Sequence, residues 1–276
     1  MKRRMLHIFR NTPVGRETLL QSAYFCARQT ELELHVYIPA QPRFQISFQD
    51  EDVLVHLDGS YLSYPATARA HAEQIVSTTG AAYEFYSPAE RGAQDIPEIQ
   101  ADWTFMAVPR SITEHPNRIG LGHLGPKVRA IVKHAPFPIL IPSPCCKPWQ
   151  SVTTFFGGSP LGATSVRLGL TLAQQAGVPF AIFTQLNGTT RAQCEQTLRD
   201  ARLYDEFSAA DGRWQTYDTG TLEENVYDVP HDGLVILGAA GQTLIRELIF
   251  GSKLEKIQAA LPNPLLVLGP NVRIVA

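Results

Sequence analysis

The sequence predicts an α/β protein built as two tandem doubly wound domains, each on a five-stranded parallel sheet. Three observations carry this. Apolar runs such as ILI at 139–141 and LLVL at 265–268 are hydrophobic at every position, as strands covered by helices on both faces must be. Strand-like runs alternate with helical stretches along each half of the chain. The chain also repeats itself. Residues 125–144 lie over 251–270 without gaps, and Gly125/Gly251, Lys127/Lys253, Ile131/Ile257, Pro136/Pro262, Pro138/Pro264, Leu140/Leu266 and Pro144/Pro270 coincide. A second block, FRNTPVGRETLL from Phe9 over FGGSPLGATSVR from Phe156, shares Phe, Pro and Gly.

Taken in order, the first half opens with a strand over 6–9. A helix over 15–30 follows, with Leu19, Ala23 and Cys26 on one face, and then a strand over 32–38. Residues 42–62 have no counterpart in the second half. Phe44, Ile46, Phe48, Val53, Val55 and Leu57 alternate there with polar residues, the period of an inserted hairpin. Its closing Asp58-Gly59-Ser60 does not open a domain, because too few residues remain before Trp103. A helix over 66–79 aligns Ala68, Ala72 and Ile75. Strands over 82–86 and 103–108, a helix over 126–134 and a strand over 139–141 complete the half. The second half predicts a strand over 152–156, a helix over 161–176 and a strand over 180–184. A helix over 190–204, strands over 214–217 and 234–237, a helix over 253–261 and a strand over 265–268 follow. The Pro- and Cys-bearing loop 143–150 sets the boundary, giving domains 1–146 and 147–276.

Bulk properties exclude several classes. A chain of 276 residues with 44% hydrophobic and 18% charged residues suits two globular domains rather than disorder. A net charge of −2 supplies no field for nucleic acid or an anionic membrane. The basic start, Lys2, Arg3 and Arg4, precedes only four apolar residues, too few for an export signal. No run approaches the ~20 apolar residues of a membrane helix. These features predict a cytoplasmic protein with neither nucleic acid nor membrane as partner. Its cysteines, Cys26, Cys145, Cys146 and Cys194, are expected as free thiols, and without paired CxxC or HxxxH spacing no metal site is expected.

The chemistry concentrates in one loop. After the strand 234–237 come Gly238-Ala239-Ala240-Gly241, then nine residues, then Gly251-Ser252 opening a helix. A phosphate needs several converging backbone N–H groups, and side chains at the closest positions would block it. A helix amino end adds unpaired donors and partial positive charge. Ser252 adds a hydroxyl, as a cap or a phosphate donor.

Gly238, Gly241, Gly251 and Ser252 resemble the G-x2-G-x9-G-S/T nucleotide loop of the universal stress protein family. The helix, Pro-x-Pro and final apolar strand that follow resemble that family's ending. The resemblance covers nearly the whole chain and implies a Rossmann-like, adenine nucleotide alpha hydrolase-like fold. It implies two domains related by a pseudo-twofold axis, with the final strands pairing across it; homodimerisation stays open. It further implies ATP or AMP, with or without Mg²⁺, held at Gly238, Ala239, Gly241, Gly251 and Ser252, with Gly157 and Ser159 at the end of the first strand of that domain. The family usually carries an Asp where Gly157 stands, so adenosine selectivity and metal organisation lose a carboxylate here. In the first half the matching position falls near Arg10. Pro109 and Arg110 stand where the first loop glycine belongs, and neither Pro109 nor Pro126 has an N–H to offer. That half is expected to bind no nucleotide as the family does.

Other motifs carry less. Gly120–Gly125 satisfies GxGxxG, but about ten residues separate it from the preceding strand, against the dinucleotide fingerprint. With Arg110, Arg118, Lys127 and Arg129 it fits a solvated surface loop better than an anion site. Residues 156–159 resemble the SGGxDS loop of ATP pyrophosphatases but lack its leading Ser and its Asp. The histidines, His115 and His123 included, show no ligand spacing, and no catalytic residue is assigned. The expectation is a stress-response or regulatory nucleotide-binding protein without efficient catalysis. The alternatives are a weak ATPase or nucleotidyl or phosphoryl transferase using Lys253 and Arg246, and an interaction scaffold that has lost nucleotides.

Overall fold

The computed structural model describes residues 2–91, 96–110, 112, 124–143, 148–186, 188–238 and 261–273. They fall into two compact units. One takes in the residues before 120 together with Leu124–Pro148 and Asn271–Arg273, and the other Trp149–Pro270. Each unit is organised by its own parallel strands.

In the first unit, β1 (Arg3–Ile8) is followed by α1 (Pro13–Ala27) and β2 (Leu32–Tyr37). Next come β3 (Arg43–Ser47), β4 (Asp52–His56), α2 (Pro65–Val76), β5 (Tyr83–Tyr86), β6 (Ala89–Arg91) and β7 (Ile96–Gln100). The unit closes with β8 (Phe105–Ala107), α3 (Pro126–His134) and β9 (Ile139–Ile141). Parallel pairing joins β1 to β2 and β8, β2 to β5, and β8 to β9. The order is therefore β5-β2-β1-β8-β9, and it reverses direction between β1 and β8. That reversal makes the sheet doubly wound.

The second unit repeats the order with β10 (Val152–Phe155), α4 (Pro160–Ala176), β11 (Phe180–Gln185) and α5 (Arg191–Asp200). After these come α6 (Tyr204–Ala209), β12 (Arg213–Tyr217), α7 (Leu222–Asn225), β13 (Leu234–Gly238) and β14 (Leu265–Leu268). Parallel ladders give β12-β11-β10-β13-β14. Both units thus place their strands third-second-first-fourth-fifth, the arrangement expected of a duplicated doubly wound domain. The apolar runs occupy the places their composition demands. Every residue of β9, β10, β13 and β14 is buried.

The inserted segment is larger than a hairpin. β3 and β4 pair antiparallel as the alternation requires, with Phe44, Ile46, Val53 and Val55 buried. β7 then joins β3 in parallel and β6 pairs antiparallel with β7, so a second, four-stranded sheet results. It packs onto the main sheet through Phe44, whose ring stands edge-on to Tyr37 at 5.9 Å. On the opposite side α1 lies against β1. The His7 imidazole, wholly buried, meets the Ser22 hydroxyl at 2.9 Å, and that hydroxyl donates to the Thr18 carbonyl at 3.1 Å.

The expected helix over 190–204 is two helices. α5 stops at Asp200 because Arg202 takes the left-handed conformation, φ 57°, which an α-helix cannot continue. The expected helix over 253–261 lies outside the described residues up to 260. Among the described residues, no helix is long and apolar enough to cross a membrane.

Candidate functional site

In open α/β sheets ligands sit beyond the carboxyl ends of the strands, where strand order reverses. In the second unit that place lies between β10 and β13. Phe155 pairs with Leu237, so the chain segments that leave these two strands start side by side. One is Phe156-Gly157-Gly158-Ser159, and the other begins at Gly238.

The first segment is a tightly built turn. Phe156 is buried and its ring meets Trp214 at 5.9 Å. Gly158 has φ 83°, open to glycine at little cost. Its carbonyl accepts from the Thr197 hydroxyl at 3.0 Å, and a Cβ there would come within 3.2 Å of Cys194 Sγ. α5 therefore grips the turn from one side. Ser159 is the N-cap of α4, its hydroxyl oxygen accepting from the Gly162 N–H at 3.0 Å, and Pro160 follows at the first helical position. The hydroxyl keeps its proton for another partner. The turn carries no side chain at 157 or 158, and Gly157 itself is buried.

Gly238 ends β13 opposite Leu268. A Cβ at 238 would lie 2.9 Å from Ser165 Oγ, so α4 packs too near for a side chain. Glycine here has a packing reason in addition to any ligand. The remaining residues of the expected loop, Ala239, Gly241, Gly251 and Ser252, lie outside the described residues. Of the expected site residues, the structure brings Gly157, Ser159 and Gly238 to one end of one sheet, on either side of the order reversal. Sequence reasoning missed Cys194 and Thr197, which hold the turn. It also missed the carboxamides of Asn225 and Gln185, where Asn225 donates to Gln185 at 2.7 Å at the end of β11. The capping box of Thr190 and Gln193 marks where α5 starts, but not that it lies beside this turn.

The first unit has the same turn with different chemistry. Thr12 caps α1 and accepts from the Gly15 N–H at 3.1 Å, followed by Pro13, the counterpart of Ser159, Gly162 and Pro160. Where Gly157 stands in the second unit the first carries Arg10. Its guanidinium lies 3.6 Å from Asp58 Oδ2, bonds to the Ser60 hydroxyl and stacks over the Tyr61 ring at 5.3 Å. A short turn after β4 thus answers Arg10 with a carboxylate. Beyond β8, Arg110 is largely buried, and burial pushes its guanidinium down to about 10. Its carbonyl accepts from the Gly125 N–H at 2.9 Å.

Similarity to solved structures follows the same outline. The chain is similar to a universal stress protein from Archaeoglobus fulgidus DSM 4304, with a TM-score of 0.57 and 15% identity over 98% of this chain and 97% of that one. The fold is that of universal stress proteins. A putative universal stress protein from Pseudomonas aeruginosa UCBPP-PA14 gives a TM-score of 0.57 at 13% identity, covering 98% and 94%. The same fold serves the cytoplasmic domain of a prokaryotic cation chloride cotransporter, with a TM-score of 0.52 at 9% identity, covering 99% and 98%. No protein-family model matches the chain, and no curated protein matches it in sequence.

Proposed function

We propose that this chain binds ATP or AMP in its second domain, 147–276, and acts in the cytoplasm as a stress-response or regulatory nucleotide-binding protein without efficient catalysis. One observation supports this above others. The spacing Gly238, Gly241, Gly251, Ser252 begins at the end of β13, next to the bare turn at Gly157 and Gly158, where a doubly wound sheet receives its ligand. Phosphates would lie on main-chain N–H groups of that loop, and the nucleoside against the 156–159 turn, with the Ser159 hydroxyl proton in reach. The first domain, 1–146, is a degenerate copy, with Arg10 in place of a carboxylate and prolines at 109 and 126. Neither Gly157 nor Ser159 can hold Mg²⁺ through a carboxylate, so any metal would come with the nucleotide.

Calorimetry with ATP, ADP and AMP, with and without Mg²⁺, tests the proposal, together with mass spectrometry of purified protein for carried-over adenine nucleotide. Saturable binding of ATP or AMP, weakened at least tenfold by Gly251→Val in a chain of unchanged circular dichroism, is the expected result. Silence with all three and no carried-over nucleotide refutes it. A second reading, an interaction module without nucleotide, is favoured by Gly157 and by the use of this fold in a transporter's cytoplasmic domain; the same silence would support it. A weak ATPase or phosphoryl transferase would instead show steady phosphate release abolished by Lys253→Ala.

A further inference from the structure

We propose that Glu33, His35 and Glu84 form a binding site for a divalent transition-metal ion, of the Zn²⁺ class, on the outer strands of the first unit's sheet. The site is separate from the nucleotide proposal and does not rest on it.

Strand geometry assembles the set. Glu33 and His35 are two apart on β2 and therefore share a face, and β5 pairs Glu84 directly with His35. His35 Nε2 lies 3.3 Å from Glu33 Oε2, and His35 Nδ1 lies 3.9 Å from Glu84 Oε2. One donor atom from each of the three falls within 4.8 Å of the others. A four-coordinate Zn²⁺ with bonds of about 2.0–2.2 Å separates neighbouring donors by roughly 3.3–3.5 Å. Glu33 and His35 already stand at that spacing. Glu84 stands beside the other ring nitrogen, so it has to turn toward the Glu33 side of the ring, and its side chain, 65% exposed, has the rotamer freedom to do so.

The electrostatics ask for a cation. A neutral imidazole carries one N–H, so it can donate toward one carboxylate only, and its other nitrogen then turns a lone pair toward the second. A metal ion on one nitrogen removes that conflict, because the N–H then stays on the other. The metal does so with no charge left over, since two carboxylates and a neutral imidazole balance a dication, which matters for a ring only 8% exposed. Trp103 stands edge-on to His35 at 5.4 Å and fixes the plane of the ring. The cation nearest in the ladder is Arg4, which pairs with Glu33 across β1 and β2. Its guanidinium is held elsewhere, on Asp102 at 2.5 Å and over the Trp103 ring at 4.8 Å. One nitrogen with two oxygens suits Zn²⁺, Mn²⁺ or Fe²⁺ better than Mg²⁺ or Ca²⁺, which favour oxygen alone. Glu33 also borders an open cleft of about 490 Å³ that Lys2, Gln29 and Glu31 help to line.

The test uses the full chain, stripped with chelator and free of nucleotide. Calorimetric titration with Zn²⁺ should give one saturable site, and Co²⁺ should give visible absorption bands and quench Trp103 emission. His35→Gln and Glu84→Gln should each weaken binding roughly tenfold or more. Glu84 is exposed, so its variant folds and keeps the comparison valid. Absence of saturable Zn²⁺ binding in the wild type, or equal binding by both variants, overturns the proposal.

Discussion

Acid should destabilise this protein through His7. The imidazole is fully enclosed between β1 and α1, and burial pushes it down from 6.5 to about 3. The Ser22 proton is spent on Thr18, so His7 must donate through Nδ1, leaving Nε2 a buried lone pair without a hydrogen-bond partner. Protonation would place a charge where no group receives it. Because the folded value lies below the unfolded one, the unfolded chain takes up the proton first. Stability is then full above about 6.5, is lost as pH falls, and levels off only near 3. At about 1.36 kcal/mol per unit, the loss between pH 7 and pH 5 from this one group is about 2 kcal/mol. Urea unfolding followed by circular dichroism at pH 7, 6 and 5 measures it. His7→Gln keeps an amide donor toward Ser22 but cannot titrate. Its own stability will be lower, yet its pH slope should be shallower than the wild type's by about that amount. Carboxylates contribute equally to both proteins and cancel. Equal slopes would refute the reasoning.

Three further outcomes follow from the geometry. Ser159→Ala removes the cap of α4 and should cost about 1 kcal/mol in urea unfolding, while Ser159→Asp should restore most of it; no loss in the alanine variant would contradict the capping role. Gly157→Asp returns a carboxylate to the end of β10, and one charge-assisted hydrogen bond of about 1.5–3 kcal/mol should raise nucleotide affinity roughly tenfold or more in calorimetry. Unchanged affinity would move the nucleoside away from this turn. Cys26 and Cys194 are buried, and burial pushes both thiols up, so peptide mapping after iodoacetamide treatment of the native protein at pH 8 should find both unmodified. Labelling at the rate of a free thiol would show that these segments open.

Much of the architecture was legible because it rests on patterns that act locally. All-apolar runs marked β9, β13 and β14, and the repeat marked the two sheets. Helix starts were set late, at 15, 66 and 161, whereas the helices begin at Pro13, Pro65 and Pro160. Proline at the first helical turn needs no N–H, so it opens helices as readily as it ends them. β6 and β7 leave no such mark, because Pro97 and their short lengths hide the alternation and β3, the partner of β7, is distant in sequence. At the candidate site, glycine and serine spacing pointed to Gly157, Ser159 and Gly238. Nothing in the linear order could show that Thr197 and Cys194 pin the turn, or that Asp58 answers Arg10. The same holds for Glu33, His35 and Glu84, which only strand register brings together.

The paired caps of α1 and α4 bear on how such a chain diverges. Thr12-Pro13 and Ser159-Pro160 launch equivalent helices by the same hydrogen bond, although the residues beside them have drifted to Arg10 in one copy and Gly157 in the other. The launch point is a requirement of folding in both copies. A gene duplication that keeps it can surrender recognition in one copy, install an internal ion pair in the vacated ground, and still mature into a stable scaffold free to acquire another task.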